Sequence, residues 1–145
     1  MLTIGTILLA TVLVVLSACQ ILPSRPNASS SCSFEHVWDT AIASLEGLPL
    51  ESAEKAKGRI ETAWREVEST TRAGLLQRDV NKERFKFIVE VAPQGGVTNA
   101  TVQQLREAWS PMGVRMREWR AIPGNASEEA ALAVEISRRL KDKGC

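Results

Sequence analysis

The sequence has little of what catalytic and metal sites are built from. Its 145 residues include one histidine, His36, and three cysteines, Cys19, Cys32 and Cys145. Scattered cysteines with one distant histidine do not make a ligand set, so no metal and no cofactor is expected. Asp39 follows His36 by three residues, but nothing in the sequence supplies a nucleophile to that pair. His36 reads as a partly exposed helix residue, and no enzyme is expected. No helix opening on Lys-Ser/Thr follows Gly95-Gly96, which excludes a phosphate loop there. Charge of either sign is not in surplus: 18 Lys and Arg stand against 17 Asp and Glu, interspersed, with no basic block, acidic tail or repeat. Such a balance gives no steering toward nucleic acid, and none is expected as a partner. Long apolar runs are also missing. The uncharged run Ile4 to Leu16 falls short of the roughly 20 residues a membrane-crossing helix needs.

What that run does have is a cysteine behind it. A short apolar stretch ending in small residues is the pattern of a secretory signal, and here it ends Leu16-Ser17-Ala18-Cys19. That tetrad resembles the lipobox of bacterial lipoproteins. The resemblance implies cleavage between Ala18 and Cys19, lipidation of the Cys19 sulfur, and acylation (palmitate) of the new N-terminus. Met1-Leu2-Thr3 carries no Lys or Arg, so the positive n-region of a signal peptide is the missing part of the pattern. Several acyl chains on one residue give stable anchoring where a single chain is marginal. Gln20, rather than Asp, follows the cysteine; by the same resemblance this favours the outer membrane, with the domain facing the periplasm. In a Gram-positive cell the anchor would hold the chain to the cell membrane instead.

With Cys19 claimed by lipid, Cys32 and Cys145 remain as an even pair in an oxidising compartment, which favours a disulfide. It would tie together the two ends of the folded part. Two free thiols, or an intermolecular bridge through the terminal Cys145, are the alternatives.

The organisation expected is residues 1–18 as signal peptide, 19–33 as lipidated cysteine and flexible tether, and 34–145 as a single domain, a length sufficient for one core. Two prolines and a serine run in Gln20 to Ser33 argue against a packed element there. Ser33 is placed to cap a helix whose apolar face is Phe34, Val37, Trp38, Ala41, Ile42 and Leu45, stopped by Gly47 and Pro49. Leu48 to Ala53 and Arg59 to Arg65 read as a hairpin around a turn ending in Gly58, with Ile60, Thr62 and Trp64 on one face. Glu66 to Val80 lacks a period and is expected as a loop with a helical turn at Thr70 to Gln77. Glu83 to Ala92 is the strongest strand, with Phe85, Phe87, Val89 and Val91 inward, Pro93 ending it and Gln94-Gly95-Gly96 turning the chain. Val97 to Trp109 fits a helix or a bulged strand, and the meander favours the strand. Val114 to Ala121 is the last strand. Ser127 is expected to cap a closing helix with Ala130, Leu132, Ala133, Ile136 and Leu140 as its stripe. The fold class is therefore α+β, in two layers: an antiparallel sheet of four to five strands packed on one face by an N-terminal and a C-terminal helix.

Val37-Trp38 with Ala41 and Leu45, Gly58-Arg59-Ile60-Glu61-Thr62-Ala63-Trp64, Arg84-Phe85-Lys86-Phe87, and Trp119 with Pro123 and the helix at Glu128 resemble the BamC (NlpB/DapX) type of lipoprotein domain. The resemblance spans most of residues 34–143 in short pieces. It implies a helix-grip fold and a place in the outer membrane, in a family that includes an accessory lipoprotein of the β-barrel assembly machine. That lipoprotein has two such domains and a long N-terminal segment; this chain has one domain and a short tether.

Trp64, Trp109 and Trp119 are the candidate binding surface for a peptide, glycan or lipid, against the plainer reading that scarce aromatics simply fill a core. Glu61, Glu83 and Glu90 fall on expected solvent faces. The function expected is a membrane-anchored, non-catalytic protein-interaction module in envelope (outer-membrane protein) assembly or maintenance, its partners the membrane and envelope-assembly proteins. The alternative is a periplasmic lipoprotein that binds a small ligand or glycan.

Overall fold

The structure is a computed structural model that describes residues 24–68, 82–110 and 118–145. Its elements are β1 (Asn27–Ser30), α1 (Phe34–Ser44), β2 (Leu50–Glu54), β3 (Arg59–Thr62), β4 (Arg65–Glu68), β5 (Lys82–Gln94), β6 (Val97–Ser110), β7 (Glu118–Ile122) and α2 (Ala126–Asp142). The fold is two-layer α+β as expected, but among the described residues the sheet has seven strands rather than four or five. Among the described residues no helix is long and apolar enough to cross a membrane.

Two long strands form the spine. β5 and β6 are joined by Gly95-Gly96, at φ 61° and 85°. Successive positive φ values give the mirror-image turn that matches strand twist. Their register runs without a break from Gln94↔Val97 to Glu83↔Ala108. Residues 97–109 are thus a strand, with no bulge. Pro93 does not end β5 but pairs with Thr98. Its nitrogen shares the parity of Val91, whose N–H bonds Gly58 on the far side of the strand. The missing N–H of Pro93 therefore costs no bond to β6.

Each spine strand is flanked by two short ones. β3 and β4 lie end to end along β5, and β1 and β7 along β6; β2 pairs the outer side of β3. Two of these strands correct the sequence reading. Residues 27–30, expected in the flexible tether, pair with Thr98 to Thr101, and Ala28 and Ser30 are buried there. A Ser-rich segment has no hydrophobic period to betray it; small side chains are what a strand tucked beside a helix layer accommodates. Likewise Glu66 to Glu68, expected in a loop, belong to β4, whose residues are all exposed and so carry no apolar alternation. The helical turn at 70–77 and residues 114–117 of the expected last strand lie outside the described residues.

The helices cover one face. Val37, Ala41 and Leu45 of the α1 layer and Ala133, Ile136 and Leu140 of α2 meet Ile60, Val89, Val91, Ala100 and Val102 of the sheet. Arg139 donates to the Ala43 carbonyl at 2.9 Å, and Lys143 to the Thr40 hydroxyl at 3.2 Å, so the helices are also bonded to each other. Ser33 caps α1 as expected. For α2 the cap is Asn125, not Ser127: the Asn125 carboxamide accepts from the Ser127 and Glu128 N–H groups. Ala130, placed in the apolar stripe from sequence, is exposed. Cys32 and Cys145 stand at bonding distance, their Cα atoms 5.5 Å apart, at one end of the helix layer.

Candidate functional site

The sheet face away from the helices holds the sequence's candidate tryptophans. Trp109 and Trp119 are directly opposite in the β6–β7 register, with ring centroids 5.3 Å apart, edge to face. Arg84 connects them to Trp64: its guanidinium carbon is 4.4 Å from the Trp119 centroid and 4.6 Å from that of Trp64. Lys86 approaches Trp64 as well, at 5.4 Å. The three residues expected as a binding surface are therefore brought together, and a cation sits between two of them.

Trp64 arrives on this face by a backbone irregularity. Simple alternation puts it on the side of Ile60 and Thr62, which are buried toward the helices. Between the pairs Glu61↔Ile88 and Arg65↔Phe85, however, the β3–β4 side advances four residues while β5 advances three. One extra residue inverts the alternation locally. The Thr62 hydroxyl accepts the Phe87 N–H at 2.9 Å, filling the gap that the irregularity opens in the ladder.

Charges on the face are paired across strands. Arg84 binds the Glu107 carboxylate at 2.5–2.7 Å. Lys86 binds Glu61 at 2.8 Å and Glu51 at 3.2 Å; Arg59 binds Glu61 at 2.6 Å and Glu90 at 2.8 Å. The hydrogen bond from Lys86, and then that from Arg59, hold the Glu61 carboxyl below the usual carboxylate range. Donating to Glu61 in turn raises the pKa of the Lys86 ammonium. Glu61 and Glu90 thus lie on the open face as expected. Glu83 does not: it is buried on the other face, ion-paired with Arg106.

A half-open cleft of about 270 Å³ lies beside Trp64, against β6 and the end of β7. It was not legible in sequence: Arg84 and Lys86 read as ordinary solvent-side residues, and nothing singled out Gln103. One signal was present. Counting back from the Gly95-Gly96 turn puts Arg84 opposite Glu107 and, one pair further out on the same face, directs attention to Trp109.

The remaining sequence candidates lie elsewhere. Ala18 and Cys19 are outside the described residues. His36 is exposed on α1, its Nδ1 3.4 Å from the Ser33 hydroxyl, which also receives the His36 N–H as the helix cap. Among the described residues no group of three or more His, Cys, Asp or Glu is arranged to hold a metal ion. No family model matches the chain, and no curated protein matches it.

Proposed function

We propose that the chain is a lipoprotein anchored through Cys19 to the outer membrane, whose domain acts as a non-catalytic protein-interaction module in assembly or maintenance of the cell envelope. The address is supported by Leu16-Ser17-Ala18-Cys19 and by a Cys32–Cys145 pair suited to an oxidising compartment. The interaction role is carried by one observation: the sheet face opposite α1 and α2 bears Trp64, Trp109 and Trp119, with Arg84 between Trp64 and Trp119. Tryptophan and arginine are the side chains most enriched where binding energy concentrates. The resemblance to BamC-type domains adds the class of partner.

The anchor also constrains where such a partner must be. The Pro26 carbonyl accepts the Val102 N–H at 3.0 Å, which ties the chain to β6 at that residue. From Cys19 to Pro26 the chain reaches about 25 Å at full extension, so the domain would work close to the bilayer.

Affinity capture from crosslinked host membranes tests the reading, with wild type, Cys19→Ser and Trp119→Ala compared. Enrichment of envelope-assembly proteins by wild type, lost with Cys19→Ser and reduced with Trp119→Ala, supports it. Equal recovery by all three, or a Cys19 that mass spectrometry finds without acyl chains, rejects it.

A further inference from the structure

We propose that the cleft beside Trp64 is a binding site for one ring of a neutral saccharide, an N-acetylhexosamine fitting it best. The proposal shares the open sheet face with the function above and adds a ligand to it, but it stands on the cleft alone and not on the anchor.

Size comes first. At about 270 Å³ the cleft is smaller than the pockets of about 300–1,000 Å³ that enclose drug-sized ligands. It takes a fragment one ring in size, open on one side to a continuing chain.

Charge comes second, and it narrows the chemistry. Four polar residues line the cleft besides the tryptophan: Gln103 and Glu107 on the face of Trp64, and Gln104 and Arg106, whose side chains turn to the helix side. Three are already engaged. Gln104 holds the start of α2 through Asn125 and Glu128; Arg106 is ion-paired with Glu83; Glu107 is ion-paired with Arg84. A charged ligand would have to break one of these pairs and leave its partner uncompensated. Gln103 is different: among the described residues its carboxamide has no side-chain partner. An amide donates and accepts at once, which suits a hydroxyl pair or an acetamido group.

The apolar part completes the match. Trp64 offers an indole, the side chain best able to cover the C–H face of a sugar ring while keeping an N–H donor. Leu105 and Ala121 supply the aliphatic wall an acetamide methyl needs. Arg84, at 4.6 Å, fixes the indole before any ligand arrives, so little ordering cost falls on binding.

The test uses the full chain in a zwitterionic detergent with N,N′-diacetylchitobiose as probe, followed by saturation-transfer NMR and tryptophan fluorescence. A one-ring contact at ordinary ligand efficiency gives a Kd of about 1 mM. Gln103→Ala should weaken binding about fivefold, the loss of one hydrogen bond, and Trp64→Ala should abolish it. Gln103→Ala guards the interpretation, because that side chain supports nothing else among the described residues and its loss should leave the fold intact. Absence of saturation transfer to wild type at about 10 mM sugar, or transfer that survives both substitutions, overturns the proposal. Either result leaves the membrane-capture experiment to decide the protein-interaction reading separately.

Discussion

The backbone N–H of Gln104 donates to the Glu129 carboxylate at 2.8 Å. This joins the middle of β6 to the first turn of α2. β1 covers the outer edge of β6 up to Val102, which bonds Pro26, and β7 covers it from Arg106 onward. Glu129 fills the stretch between, and the Gln104 side chain accepts the Asn125 N–H at 2.8 Å and donates to Glu128 at 2.5 Å. Removing the acceptor strands a backbone donor against a buried residue. Glu129→Ala should therefore cost about 1–2 kcal/mol, and Glu129→Gln, which keeps an acceptor oxygen, clearly less. Urea unfolding of the two variants measures the difference.

Gly58 is where backbone and side-chain demands coincide. Its φ is +64°, and a Cβ built on it would stand 2.1 Å from the Val91 carbonyl oxygen. The same glycine accepts the Val91 N–H at 2.7 Å, so it cannot retreat without breaking the β3–β5 ladder. Gly58→Ala should cost roughly 3 kcal/mol or more. Gly47, at φ +87° with nothing within 4 Å of an added Cβ, provides the control. There Ala should cost only the left-handed penalty of about 1–2 kcal/mol. Thermal melts of both variants would show whether the close approach matters beyond the dihedral angle.

These two contacts mark the divide between what the sequence displayed and what it hid. Helices were legible because Val37, Trp38 and Ala41, or Ala133, Ile136 and Leu140, repeat at helical spacing and are buried as that spacing requires. β5 was legible from Phe87, Val89 and Val91 for the same reason. β1 and β4 were not, because Asn27 to Ser30 and Arg65 to Glu68 are held by partners distant in sequence rather than by any pattern of their own. Candidate site residues followed the same rule. Three tryptophans could be named, but their assembly needed a one-residue irregularity at β3–β4 that no local pattern announces, and the cation joining them looked like a surface charge. Asn125 outcompeted Ser127 as a cap since the loop from Pro123 is already pinned to Gln104.

The Trp64–Arg84 contact should be measurable as a coupling. With the guanidinium 4.6 Å from one indole and 4.4 Å from another, and its charge balanced by Glu107, the pair is partly shielded from water. A double-mutant cycle with Trp64→Leu and Arg84→Met should return a coupling of about 0.5–1 kcal/mol. Trp119→Leu should show a similar term with Arg84→Met. A coupling near zero for both would mean that the indoles pack beside the cation without recognising it.

Acid should weaken the domain in a defined window. On α2, hydrogen bonds from Arg138 and then Arg139 lower the Glu135 carboxyl to about 2, and Glu61 is lowered by Lys86 and then Arg59. For a group whose folded pKa is depressed, the stabilisation is complete above its unfolded value. It is lost as pH falls through the folded one. Urea midpoints should therefore hold steady at neutral pH and decline from about pH 5 toward about pH 2. The raised values of Lys86 and Arg59 act only on the alkaline side. Carboxyl NMR titration should find Glu135 back in the ordinary carboxylate range once Arg138 and Arg139 are both replaced by alanine.

Reduction should act on the fold from its two ends at once. Cys32 follows β1 and precedes α1, and Cys145 follows α2, 113 residues later. β1 has four residues, with Ala28 and Ser30 as its buried side chains, so it depends on being held against β6 at both ends. At the far end of α2, Cys145 keeps the chain in place through its N–H to Leu140 at 3.0 Å. Chain-entropy reasoning for a loop of this length gives about 4–5 kcal/mol of stabilisation. Part of that should be recovered by local fraying, because β1 and the last turn of α2 can detach before the core opens. Cys32→Ser with Cys145→Ser should thus lower global stability by less than the full amount. Hydrogen exchange should accelerate most at Thr98 and Ala100, whose N–H groups share the parity of Val102 and face β1, and less in the β5–β3 ladder. Uniform acceleration across the sheet would instead mean that β1 and the core unfold as one unit, and that the disulfide stabilises the whole domain rather than its margin.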